Sequence, residues 1–110
     1  MSSHPNTYVA AVFTTIDGSD ISTVLERLEN NEVSFPNGDS YDIVGSDNES
    51  GVGVDENSFA IHSYATYGWG ETCDLDKVMR LWADKLIEAD YIVKCFPELK
   101  YSVVIGANWF

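Results

Sequence analysis

The chain has 110 residues, 18 of them acidic and 6 basic, and carries a formal net charge of -12 with His neutral. This length fits one domain with a core of its own, and 45% apolar with 13% aromatic residues sets it apart from the weakly hydrophobic, highly charged chains that stay disordered. A field of this sign repels nucleic acid and acidic membrane and attracts a basic surface or a cation.

The charge is unevenly spread. Residues 1–76 hold 14 of the acidic residues and a single basic one, Arg27, whereas residues 77–110 hold 4 acidic and 5 basic. One domain over residues 1–110 is expected, with residues 1–6 as a flexible N-terminal tail. Cys73 and Cys95 lie 22 positions apart, which offers neither a disulfide framework nor a CxxC motif. Met1 to Thr7 has no positive charge and no apolar run, unlike a secretory signal, and no apolar stretch is long enough to span a bilayer. A cytoplasmic protein is therefore expected, in the host cytoplasm if the chain is viral.

Tyr8 to Ile16 reads YVAAVFTTI and ends at Asp17-Gly18, as a buried strand followed by a turn does. Ser19 or Asp20 then caps a helix whose Ile21, Val24, Leu25 and Leu28 share one face, ending at Asn30-Asn31. Two strands follow, Tyr41 to Val44 and Ser58 to Tyr67, around the loop from Gly45 to Asn57. In the second, Phe59, Ile61 and Ala65 alternate with His62, Tyr64 and Thr66, the pattern of a half-buried antiparallel strand. A long helix starts at Thr72 or Asp74, with Asp74 and Asp76 near the positive end of its dipole. Leu75, Val78, Met79, Trp82, Leu86 and Ala89 make its apolar stripe, Val93 and Phe96 extend it towards Pro97, and Asp76 and Arg80 have the spacing of an ion pair. Tyr101 to Gly106, YSVVIG, reads as a central strand. The order β-α-β-β-α-β predicts an α+β fold, a four-stranded antiparallel sheet with two helices on one face, in the ferredoxin-like arrangement.

The loop Gly45 to Asn57 concentrates oxygen ligands, yet fails as a calcium site. Counted from Asp47, Val52 stands where an EF-hand needs Gly and Ser58 where it needs Glu. Gly51 and Gly53 sit among carboxylates and lack the following helix of a phosphate loop. Cys73 with His62 or His4 has no nucleophile signature, and Asp74 and Asp76 oppose a thiolate beside them. The same three residues lack zinc-site spacing. No catalysis, metal or cofactor is expected.

Two features point to binding. Carboxylates at Asp39, Asp42, Asp47, Glu49, Asp55, Glu56, Glu71, Asp74 and Asp76 occur without an intervening Lys or Arg. Tyr64, Tyr67 and Trp69 supply rigid amphipathic area of the kind that anchors interfaces, although packing at the sheet edge or under the second helix would also use them. Trp109-Phe110 has the same two readings. Together these twelve residues form the expected partner-binding set. The expected partner is a basic protein surface on a nucleic-acid-handling enzyme, with no direct contact to nucleic acid or membrane. An acidic inhibitor of anti-CRISPR or anti-restriction type, with a nucleic-acid mimic as its stronger version, leads. The alternatives are the immunity protein of a nuclease toxin and an acidic regulatory or scaffold subunit, with a small enzyme behind them.

Overall fold

The computed structural model describes residues 5–29, 43–45, 52–67 and 74–109. They form strand β1 (Pro5–Thr15), helix α1 (Ser22–Glu29), strand β2 (Ile43–Val44), strand β3 (Phe59–Tyr67), helix α2 (Leu75–Cys95) and strand β4 (Leu99–Trp109). Every ladder is antiparallel and the sheet order is β2-β3-β1-β4. The protein is thus an α+β fold, an open four-stranded antiparallel sheet with two helices. β1 starts at Pro5 and Asn6 is buried, inside the stretch expected as a tail.

β1 occupies the middle of the sheet because its apolar run is covered on both faces. On one face Ala11 and Phe13 join Phe59 and Ile61 of β3 in a cluster with Ile21, Val24 and Leu28 beside α1 and Ala89, Ile92 and Phe96 beside α2. Both helices therefore feed one core. Phe13 and Phe59, opposite each other in register, stack at 4.9 Å between centroids. On the other face Tyr8, Ala10 and Ala60 pack with Val52 from the segment preceding β3. A bulge between Thr7 and Tyr8 shifts the β1–β3 register, and the Thr66 hydroxyl accepts from the Thr7 amide at 3.0 Å beside it.

α1 follows its sequence pattern. Ile21, Val24 and Leu28 are buried, and Asp20 Oδ1 accepts from the Ser22 amide at 2.9 Å and its hydroxyl at 2.7 Å, satisfying donors at the helix start. Arg27 lies 4.7 Å from the Phe96 ring centroid and links the two helices.

Two expectations fail. β4 is an edge strand, not a central one, and its apolar run is only partly covered, with Val104 37% and Ile105 57% exposed. The run of Val and Ile reads as buried on both faces, but β1 already holds the centre. The apolar stripe of α2 also holds only in part, at Val78 and Ala89. The helix buries Val78, Lys85, Glu88, Ala89 and Ile92 and leaves Leu75, Met79, Trp82 and Leu86 exposed. Lys85 Nζ and Glu88 Oε2, 2.9 Å apart, neutralise each other on the buried side, so two charged residues sit where hydropathy points outward.

Candidate functional site

The described carboxylates of the expected binding set divide between two ends of the sheet. Asp55 and Glu56 are exposed immediately before β3. Asp74 and Asp76 open α2, whose first turns pack through Val78 against Ala65 near the far end of β3. The nine residues of β3 separate these ends by about 27 Å at 3.4 Å per residue, so the two pairs belong to different surfaces.

Asp74 and Asp76 have local work. Asp74 is the N-cap of α2, with extended φ and ψ of -77° and 125°, and its carboxylate accepts from the Asp76 amide at 3.0 Å. Both carboxylates also face the positive end of the dipole. Arg80 Nε donates to the Asp76 carbonyl at 3.4 Å, so a side chain–backbone contact replaces the expected ion pair.

Asp55 and Glu56 precede a contact that the sequence reading overlooked. Asn57 holds a left-handed φ of 62°, which Asn tolerates better than most residues. Its Oδ1 accepts from the Ile21 amide at 2.8 Å and its Nδ2 donates to the Ser19 carbonyl at 2.8 Å. This stitch fastens the turn before β3 to the turn after β1. It brings the exposed Asp55 and Glu56 to the same end as the exposed Asp17 and Asp20. Glu98 lies at that end too, its carbonyl accepting from the Ile16 amide at 2.8 Å.

Hydrogen bonds fix two of these carboxylates. Asp17 Oδ1 accepts from the Ser19 amide at 3.0 Å, and its pKa is lowered chiefly by hydrogen bonding to the Ser19 side chain and amide. The Asp20 pKa is lowered in the same way by Ser22. Both groups are fully exposed and ionised at neutral pH. The arrangement is a solvated acidic end in which Asp17, Asp20, Asp55 and Glu56 are all exposed. Among the described residues, no group of three or more His, Cys, Asp and Glu is placed to hold a metal ion.

The aromatic set has a different setting. Tyr64 is half-buried and packs with the Tyr8, Ala10 and Ala60 cluster on the face away from the helices, edge-on to His62 at 5.3 Å. It is part of the fold's second, smaller core. Tyr67 ends β3. Asp39, Asp42, Asp47, Glu49, Trp69 and Glu71, together with Cys73, His4 and Phe110, lie outside the described residues. Cys95 is an exposed free thiol at the last position of α2.

Asp17 and Asp20 read in sequence as a turn and a cap, and they are both. Their part in an acidic end depends on Asn57, 36 and 38 positions from its partners, a contact with no local signal. No helix among the described residues is long and apolar enough to cross a membrane. No protein-family model, curated protein or solved structure matches the chain.

Proposed function

We propose that the protein acts by binding, as an acidic inhibitor that covers a basic surface of a nuclease or other nucleic-acid-handling protein. The observation that carries this reading is the acidic end built from Asp17, Asp20, Asp55 and Glu56, locked by Asn57, in a chain of net charge -12. The carboxylates of Asp17 and Asp20, held by hydrogen bonds, lose little freedom on meeting a cationic surface, and the field of all four accelerates encounter. Asp39, Asp42, Asp47, Glu49 and Glu71 add to the same long-range field. Carboxylates in the place of phosphates would make the protein a nucleic-acid mimic of the anti-CRISPR or anti-restriction kind. Catalysis, metal and cofactor have no part in this reading, and the site of action is the cytoplasm.

The fold reading attached to this function is ferredoxin-like. It is supported by β1 lying between β3 and β4 with β2 outside, and by both helices feeding one core. An immunity protein of a nuclease toxin would need the same acidic end and differs only in its target's origin. An acidic scaffold subunit would bind a basic partner that has no nucleic acid to lose.

The test is capture of host proteins by the tagged chain at roughly 50 and 500 mM salt, where screening lengths differ about threefold, with duplex DNA or RNA as competitor. The expected result is retention of one nucleic-acid enzyme at low salt and its release by the competitor. Retention indifferent to salt and nucleic acid refutes the inhibitor reading. Reversal of Asp17, Asp20, Asp55 and Glu56 to Lys should slow association at least about tenfold with the fold intact.

A further inference from the structure

We propose that the chain forms a twofold dimer in which β4 pairs antiparallel with β4 of a second copy while the exposed flank of α2 packs across the same seam. Three independent observations converge on that surface.

The first is the edge itself. β4 runs 11 residues in unbroken register with β1, and among the described residues no strand pairs with its outer side. Natural edges are guarded by charges, Pro, bulges or short length. β4 carries one charge, Lys100, no Pro and no bulge against β1.

The second is the apolar surface beside the edge. Leu75, Met79, Trp82 and Leu86 stand at i, i+4, i+7 and i+11 of α2, 70%, 54%, 47% and 39% exposed. Asp90, the next position in this row, accepts from the Tyr101 hydroxyl of β4 at 2.6 Å, which fixes the row on the β4 side of the helix. Val78 clusters with Val9 and Ala65, and Leu81 and Val103 pack against that cluster; Val9 is the register partner of Ile105, so the first turns of α2 lie near Ile105. Ile105 sits opposite Val9 in register, hence on the face that carries the helices, and is 57% exposed. The five side chains expose on the order of 500 Å² in total, taking about 200 Å² for each large side chain. With the strand backbone added, this approaches the roughly 800 Å² per partner of a standard interface.

The third is charge. A second copy brings another -12 and is repelled by most of the molecule. Residues 77–110, which hold most of α2 and all of β4, contain 4 acidic and 5 basic residues, so this part of the chain meets its own copy with little net repulsion, Asp74 and Asp76 beside Leu75 excepted. An antiparallel β4–β4 ladder is self-complementary, as a twofold interface requires. A basic partner, by contrast, gains nothing from a nearly neutral surface.

Light-scattering mass of the full chain, at roughly 50 and 500 mM salt, decides the matter. The expected mass is twice 12.2 kDa, with the dimer fraction rising with salt as repulsion between the acidic copies is screened. Ile105→Lys and Trp82→Glu should each weaken the dimer about tenfold or more with the circular dichroism of the wild type. If either unfolds, Met79→Gln and Leu86→Gln make the same test at exposed positions. A mass of 12.2 kDa at every salt and concentration overturns the dimer, as does a dimer indifferent to these substitutions. Capture of a basic protein through β4 by a chain that stays monomeric also overturns it. The inference is independent of the acidic end: reversal of Asp55 and Glu56 does not abolish the dimer, and loss of basic-partner capture leaves it standing.

Discussion

Replacing Lys85 with Met should be among the most damaging single changes in this protein, although it makes the helix more apolar. Lys85 is 3% and Glu88 8% exposed, and they meet at 2.9 Å on the side of α2 that faces the sheet. Removing the ammonium leaves the carboxylate buried and uncompensated, a loss of about 3–5 kcal/mol for a broken buried pair. A domain of 110 residues has a total stability on the order of 5–15 kcal/mol, so the single variant forfeits about a fifth of it at the least. At about 4 °C per kcal/mol for a domain of this size, the melting temperature falls by about 12–20 °C. Replacing both residues, Lys85→Met with Glu88→Leu, should recover most of the loss, because an ion pair exchanged for well-packed apolar groups is close to neutral or stabilising. Urea unfolding of the wild type, both single variants and the double variant closes the cycle, and the coupling is read directly. A coupling under about 0.5 kcal/mol would mean that the pair behaves as a surface contact and that α2 does not bury it against the sheet.

A Cβ built at Gly106 overlaps the ring of Tyr8, which is buried and whose hydroxyl accepts from the Gly53 amide at 3.1 Å. Gly106→Ala should therefore cost about 1–3 kcal/mol in chemical denaturation and expose the 52–54 segment to faster amide exchange; unchanged exchange there would contradict the close approach. Asn57→Ala gives up two hydrogen bonds and a tolerated left-handed φ, about 2–4 kcal/mol in all, whereas Asn57→Gly keeps the backbone freedom and should lose only about half as much; equal losses would show that the stitch carries nothing. Thermal stability should fall at both ends of the pH range. Asp17 and Asp20 have lowered pKa values, so their contribution is present above 3.8 and is lost as pH falls through the folded values. The Tyr101 pKa is raised by the Asp90 hydrogen bond first, then by burial and by the charge of Asp90; its contribution is complete below about 10 and is lost as pH rises through the folded value. Tyr101→Phe should flatten the alkaline limb alone, and an unchanged limb would separate the hydroxyl from stability.

The fold was legible wherever one local rule decided the outcome. β1 announced itself by a β-branched and aromatic run ending at Asp17-Gly18, and α1 by Ile21, Val24 and Leu28 behind the Asp20 cap. What failed was arbitration between equally apolar surfaces. YSVVIG could be central or edge, and only the pairing of β1 with both β3 and β4 gives the centre to β1. On α2, hydropathy puts Leu75, Val78, Met79, Trp82, Leu86 and Ala89 on one inner stripe, yet only Val78 and Ala89 of these are buried, on a row that Lys85, Glu88 and Ile92 complete. A buried ion pair is invisible to a hydropathy pattern, because its two members each read as exposed until they meet. The acidic end was half legible. Asp55 and Glu56 stood out by composition, whereas Asp17 and Asp20 joined them through Asn57, a contact across 36 positions that no spacing rule anticipates.

The acidic end and the α2–β4 seam respond to salt in opposite directions, and that opposition is what makes the two proposals separable in one experiment. Attraction between fixed carboxylates and a cationic surface weakens as the screening length shrinks from about 14 Å at 50 mM to about 4 Å at 500 mM. Over the same range the repulsion between two chains of -12 fades, and burial of Trp82, Met79 and Ile105 is left to act. Geometry adds a second consequence. The acidic end lies where β1 finishes and β3 begins, and an antiparallel β4–β4 seam turns the second copy's strands end for end. The two acidic ends then point away from each other along opposite ends of an eight-stranded sheet, too far apart for one compact basic site to engage both. Each chain should therefore bind one target, two per dimer, and titration calorimetry should give a ratio of one target per chain. A ratio of one target per two chains would require both acidic ends to face the same way, which the antiparallel seam forbids.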